Sequence, residues 1–312
     1  MQRIAMAGFL IVVVSSILSA AEARTPMAYV FTSFRGNGED GLHLAVSDDG
    51  YRWTDLKRVF LRPEVGKSKL MRDPCIVRGP NGTFHMVWTT GWGEKGFGYA
   101  RSADLVHWSP QRYIPVMAHE PKAQNTWAPE LFHDEATGQF LIFWATTIPG
   151  RFPDTDRGGD HNHRMYYTTT KDFKTFAKAR LFFDPGYNVI DATLLRVGER
   201  YVMVFKDERP SHKVLKLAFS DRAEGPYADV SEPFTTDWVE GPSALRIGGE
   251  WLVYFDHYAK PHYYGATKTT DFKTWTDVSK QMAFPPGHRH GTVLRIPKSI
   301  LDGLTRHKEG AR

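Results

Sequence analysis

Four carboxylates and a histidine stand out because each opens a segment of the same kind. They are Asp73 in Arg72-Asp73-Pro74, Glu130 in Ala128-Pro129-Glu130, Asp191 in Ile190-Asp191-Ala192, Glu240 in Glu240-Gly241-Pro242, and His290 in His290-Gly291. Brought together, such charges must share protons, bind a cation or push their pKa values apart. Separated pKa values are what two-carboxylate chemistry uses, one group staying protonated while its neighbour stays ionised. Taken singly, each tripeptide is ordinary turn material. Recurrence at the same point of a repeat is what points to a shared site.

The repeat is about fifty residues long. After the first four openings comes a turn signal, such as Gly79-Pro80-Asn81-Gly82 or Ile247-Gly248-Gly249-Glu250. An apolar run follows, at Thr83–Thr90, Gln139–Thr147, Arg200–Glu208 and Glu250–Tyr258. These runs are rich in β-branched and aromatic residues and too short for helices, so they read as strands covered on both faces. A third segment ends in an Asp-rich turn closed by an aromatic, as in Asp104 to Trp108, Asp172 to Phe176, Asp221 to Tyr227 and Asp271 to Trp275. Short strands in such a repeat predict an all-β chain folded as a five-bladed β-propeller. The fifth unit is split. His290–Ile296 supplies its opening strand, while Ala28–Phe34 and Leu42–Val46 supply the rest, so one blade built from both ends closes the ring and leaves no free sheet edge. The helix expectation is confined to Lys298–Leu304.

Blades related by rotation bring their opening strands to the axis, and the five opening residues are expected to ring one concavity. Composition fits a single large β domain, with 13% aromatic residues among 312. Net charge is +5 without any Lys/Arg block, which argues against a nucleic-acid partner. Residues 1–23, with Arg3, an apolar stretch to Leu18 and Ala21-Glu22-Ala23, read as a secretory signal peptide. Secretion or periplasmic delivery follows, with 24–312 as one catalytic propeller domain, monomeric and free of the membrane after cleavage. Cys75 is the one cysteine, so no intrachain disulfide forms, and a buried apolar role is expected. In Gly150–His163, the residues Asp154, Asp156, Asp160, His161 and His163 match neither a calcium loop nor a zinc motif and read as a polar rim loop.

The order Arg72-Asp73-Pro74, Trp127-Ala128-Pro129-Glu130, Ile190-Asp191, Glu240-Gly241-Pro242, His290-Gly291 resembles glycoside hydrolase family 43 over essentially the whole mature chain. One departure is Ile190-Asp191-Ala192, where many members carry Ile-Asp-Pro. The resemblance implies an inverting hydrolase of furanosides or xylosides, α-L-arabinofuranosides above all, acting on oligosaccharides. It makes Asp73 the base, Glu240 the acid and Asp191 the carboxylate that tunes the acid by raising its pKa. Substrate contacts are expected from Arg72, Trp92, Trp127, Glu130, Trp238 and His290. His290 would also face an axial calcium through water, with no cofactor required for the reaction. A fructosidase- or galactofuranosidase-like hydrolase and a non-catalytic glycan-binding propeller are the alternatives. All three carboxylates are present, which favours the enzyme.

Overall fold

The computed structural model describes residues 27–156 and 161–306. The signal-peptide expectation and Asp160 therefore lie outside the described residues. Among the described residues, nineteen strands form five antiparallel sheets. Blade 1 holds β4 (Arg72–Arg78), β5 (Phe84–Thr89), β6 (Phe97–Ser102) and β7 (Arg112–Ile114). Blade 2 holds β8 (Trp127–Asp134), β9 (Gln139–Thr147), β10 (His163–Thr170) and β11 (Arg180–Phe183). Blade 3 is three-stranded, with β12 (Val189–Val197), β13 (Arg200–Asp207) and β14 (Val214–Ser220). Blade 4 holds β15 (Val239–Ile247), β16 (Glu250–His257), β17 (Tyr263–Thr269) and β18 (Thr276–Asp277).

Blade 5 is the composite one. Its β1 (Met27–Ser33), β2 (Leu42–Ser47) and β3 (Thr54–Leu61) come from one end of the sequence, and β19 (Val293–Pro297) comes from the other. β19 pairs with β1 from Met27↔Pro297 to Phe31↔Val293, which closes the ring as the repeat requires. Helix α1 (Lys298–Arg306) follows β19 and buries Leu301 and Leu304 against blade 5.

The middle strands explain why their sequences are apolar on every position. Alternate residues of a strand point to opposite faces, and here both faces meet a neighbouring blade. In β9, Leu141, Phe143 and Ala145 enter the core shared with blade 3, whereas Phe140, Ile142 and Trp144 enter the core shared with blade 1. β13 and β16 divide their residues in the same way. The result is five interblade cores in a closed circuit, the one between blades 5 and 1 being filled by Val30, Leu44, Met71, Phe84 and Trp88.

The Asp-rich turns are Asx turns of one design. Asp104 Oδ1 accepts the N–H groups of Val106 and His107, Asp172 those of Lys174 and Thr175, and Asp271 those of Lys273 and Thr274. The residue after each Asp sits at positive φ and packs inward: Leu105, Phe173 and Phe272. Blade 3 departs at Asp221, and its fourth strand is absent among the described residues.

Candidate active site

The innermost strands of blades 1 to 4 each break register once, at their opening. The breaks fall between Arg72 and Cys75, Trp127 and Glu130, Ile190 and Ala192, and Glu240 and Ser243. At each break one residue takes a left-handed backbone: Asp73 (φ 52°), Ala128 (φ 46°), Asp191 (φ 50°) and Gly241 (φ 57°). Left-handed backbone is costly for side chains other than glycine and concentrates at functional positions. This bulge aims the side chains of Asp73 and Asp191 at the axis, where His290 meets both.

His290 Nδ1 lies 3.3 Å from Asp73 Oδ1 and 3.7 Å from Asp191 Oδ2. Thr89 donates to Asp73 Oδ2 at 2.9 Å, and the Gly241 N–H donates to Asp191 Oδ2 at 3.1 Å. Gly241 is a glycine for a second reason: a Cβ there would lie 2.4 Å from the His290 ring. Around this centre is a cavity of about 530 Å³ lined by Arg72, Asp73, Trp92, Trp127, Asp191, Trp238, Glu240 and His290, among others. Eight of the nine side chains that the sequence put forward are therefore in one pocket.

Glu130 is the ninth, and its expected place in the substrate pocket is corrected. Aligned on the left-handed residue, it matches Cys75, Thr193 and Ser243 and lies two residues farther along its strand than Asp73 does along its own. It sits below the pocket floor, 5% exposed, hydrogen-bonded to Cys75 and Thr193. The cavity it borders, with Thr193, Ser243 and Thr292, is a different one. Cys75 is buried as expected, its Sγ accepting the Leu131 N–H at 3.2 Å.

Burial sets the electrostatics, and the charges redistribute it. Burial works to raise Asp73, but the cation on His290, with Arg72 and the Thr89 hydroxyl, brings it down to about 2. Burial also raises Asp191; His290 and Lys206 pull the other way, Glu240 and Asp73 add to the rise, and Asp191 ends at about 6. Burial would strip the proton from His290, but Asp191, Asp73 and Glu240 outweigh it and hold the ring as an imidazolium, near 10. At Glu130 burial outweighs the His290 charge and the hydrogen bonds from Cys75 and Thr193, and the carboxyl is pushed up to about 8.

Glu240 is gripped from two sides. Lys206, on β13 and 2% exposed, places Nζ 3.1 Å from Glu240 Oε2 and 2.8 Å from Glu208 Oε2. Arg289 bridges Glu240 Oε1 at 2.9 Å and the buried Asp256 at 2.6 Å. Within this group Asp191 is shifted upward by burial, with the Glu240 charge among the further causes. Lys206, Glu208, Lys213, Tyr258 and Arg289 were not anticipated. A signal existed: Thr89, Lys206 and Asp256 each face the residue that opens their blade's inner strand (Arg72, Ile190 and Glu240), so polar residues at the end of an apolar run mark the pocket.

The aromatic rim follows the same elements. Arg72 is stacked between Phe34 and Trp92, its guanidinium 4.6 and 4.3 Å from their ring centres, and donates to Asn37. Trp127 meets Trp92 edge-on at 5.4 Å, and Trp238, at φ 60°, is 44% exposed beside Tyr258. The axial donor set does not fit a cation at His290. An imidazolium donating to Asp73 and ion-paired with Asp191 has no lone pair for a metal or for its water. Among the described residues no group of three His, Cys, Asp or Glu side chains could hold a metal ion.

Residues 25–302 match the model of a family described as "Probable glycosyl hydrolase domain". An α-L-arabinofuranosidase of Bifidobacterium longum is 24% identical over 164 residues, which are 45% of this chain but only 15% of that protein. Among solved structures, a "putative exo-beta-1,3-galactanase" from Bifidobacterium bifidum s17 superposes with a TM-score of 0.59 at 14% identity, over 85% of this chain and 91% of the other. The xylan β-1,4-xylosidase of Bacillus halodurans C-125 gives a TM-score of 0.53 at 18% identity, over 70% of this chain and 42% of the other. At these identities the two superpositions speak for the fold.

Proposed function

The chain belongs to the glycosyl hydrolase family whose domain model it matches, and from that premise we propose that it is an exported, inverting glycoside hydrolase. Its substrates are non-reducing-end furanosides or xylosides of plant-type oligosaccharides, α-L-arabinofuranosides foremost. The observation that carries this reading is the convergence of Asp73, Asp191 and Glu240 in one cavity walled by three tryptophans.

Asp73 is the base. It is ionised at neutral pH, with Thr89 and His290 fixing its two oxygens, and it takes a proton from the water that attacks the sugar. Glu240 is the acid, delivering its proton to the leaving oxygen. Asp191 is a positioning residue. It holds the Gly241 N–H next to the acid, and its own carboxyl is raised to about 6 by burial and by the charges of Glu240 and Asp73. As Glu240 becomes a carboxylate, Lys206 and Arg289 already stand on its oxygens, so the charge formed in the transition state meets cations that need not reorganise. The tryptophans offer apolar faces to the sugar rings.

A panel of nitrophenyl arabinofuranoside, xyloside and galactofuranoside tests the reading, with Glu240→Gln beside the wild type. Turnover of one furanoside or xyloside is expected, falling about 10²–10⁴-fold in the variant, with proton NMR of the first product giving the inverted anomer. Sugar binding without any turnover would identify a glycan-binding propeller instead.

A further inference from the structure

A second cavity of about 580 Å³ adjoins the first, between blades 2 and 3, and the chemistry described so far does not use it. The two share Trp127, Glu208, Lys213 and Trp238, so they form one continuous cleft. Three of the shared residues lie on the acid's side of the pocket: Glu208 shares Lys206 with Glu240, Lys213 pairs with Glu208, and Trp238 packs on Tyr258 beside Lys206, while Trp127 stands between the two sides against Trp92. Asp73 stands toward Arg72 and Trp92, on the other side. A bond cleaved between base and acid therefore has its leaving group directed into this second cavity.

The cavity contains buried polar atoms that no protein group satisfies. His163 is 1% exposed, and its Nε2 has no hydrogen-bond partner; the Tyr187 hydroxyl also lacks one. The tautomer of His163 follows from its neighbour. Asn188 donates through Nδ2 to the His161 carbonyl at 2.9 Å, which turns its Oδ1 toward His163. That oxygen accepts the His163 backbone N–H at 2.9 Å and faces Nδ1 at 3.2 Å. The Nδ1 proton is thus committed, and Nε2 presents a lone pair. Burial holds the ring neutral, near 3. A buried acceptor left open costs stability, which a ligand hydroxyl would recover. Trp127 packs against His161 and His163 at 4.7 Å from each and is held by its Nε1 donation to the Trp92 carbonyl at 2.8 Å. The cations at the wall are already paired, Arg209 with Asp207 and Lys213 with Glu208. An uncharged, hydroxyl-rich ligand with apolar ring faces fits this lining better than a uronate or a phosphate.

We infer that this cavity is a leaving-group subsite for a neutral sugar, with His163 Nε2 accepting one sugar hydroxyl and Trp127 and Trp238 flanking the ring. The inference rests on the hydrolase reading for its place in the reaction, but the binding it requires does not. The enzyme is thereby specific for a bond within a saccharide rather than for the terminal sugar alone.

The test is titration calorimetry with xylobiose and 1,5-arabinobiose on the wild type, His163→Leu, His163→Gln and the exposed-site variant Trp238→Ala, alongside hydrolysis of the matching nitrophenyl glycoside and disaccharide. One disaccharide is expected to bind, about five- to tenfold more weakly in His163→Leu, with part of the loss restored in His163→Gln. The ratio of disaccharide to aryl-glycoside kcat/KM should fall by a similar factor. Should His163→Leu fail to fold, Trp238→Ala carries the same comparison. Failure of the wild type to bind either disaccharide, or equal binding by all variants, overturns the subsite while aryl-glycoside turnover leaves the hydrolase standing. Binding that depends on His163 with no hydrolysis of any substrate keeps the subsite and overturns the hydrolase.

Discussion

Two layers of the propeller axis are built from the same strands, two residues apart, and behave as opposites. The upper layer holds Asp73, Asp191 and His290 around a pocket open to solvent. The lower holds Cys75, Glu130, Thr193 and Ser243 under its floor. Each has carboxyl groups buried in the protein. Above, an imidazolium stands among them and lowers both against burial, and they settle at about 2 and about 6 because Asp191 is also raised by the charges of Glu240 and Asp73. Below, Glu130 meets a thiol and a hydroxyl, and burial leaves it neutral at pH 7. A carboxylate's chemistry here is set by its depth past the bulge: His290 stands directly against Asp73 and Asp191, whereas at Glu130 its charge does not offset burial.

The largest effect should come from neutralising one carboxyl in each layer. Asp73→Asn is expected to lower kcat/KM about 10³-fold or more, whereas Glu130→Gln should stay within about threefold; equal losses would erase the distinction. Next comes stability against pH. Glu130 has a folded pKa of about 8 against an ordinary value of 4.5. Between those values the folded protein keeps a proton that the unfolded chain has released. The stabilisation linked to Glu130 is therefore complete below about 4.5 and lost as pH rises through about 8. Glu130→Gln should flatten denaturant-derived stability between pH 5 and pH 9, by on the order of 3 kcal/mol. An unchanged slope would mean that this carboxyl ionises freely. Smallest are the backbone changes at the bulge itself. Gly241→Ala, which also drives a methyl into His290, should cost about 2 kcal/mol, while Ala128→Gly, at the same left-handed position, should gain up to about 1 kcal/mol by thermal melt.

Much of the fold was readable because the determinants are local and repeated. The hairpin signals, the apolar runs and the Asx turns each recur four or five times, and every middle strand lies within a residue of its expected range. The split blade was legible because a leftover opening strand and a leftover remainder fit one another. Three carboxylates could be named because short turns flag them. Glu130 was misplaced because a tripeptide gives no bulge register: Pro129 and Pro74 align, which sets Glu130 after its proline and Asp73 before. Lys206 and Arg289 went unseen since a lysine ending an apolar run, or an arginine in a Gly/His loop, reads as surface. Their partners, Glu240 and Asp256, come from other stretches of sequence, and only the ring brings them together. The second cavity was hidden for the same reason. His163 was read as part of a rim loop, but it is the first residue of β10, and its environment is made by Asn188 and Trp127.

The composite blade also orders events in time. Domains made on the ribosome can begin folding from the first residues out, and blades 1 to 4 are each complete within a contiguous stretch of sequence. Asp73, Asp191, the three tryptophans and Glu240 are all translated before residue 241. Arg289 and His290 come some fifty residues later, on the segment leading into β19, with the strand that seals blade 5. A nascent chain would thus hold Asp73, Asp191 and Glu240 without the imidazolium that lowers both Asp73 and Asp191. The charge pattern of the pocket would be completed in one step with the last strand, so a chain released early should be a propeller fragment that has its carboxylates and lacks their imidazolium.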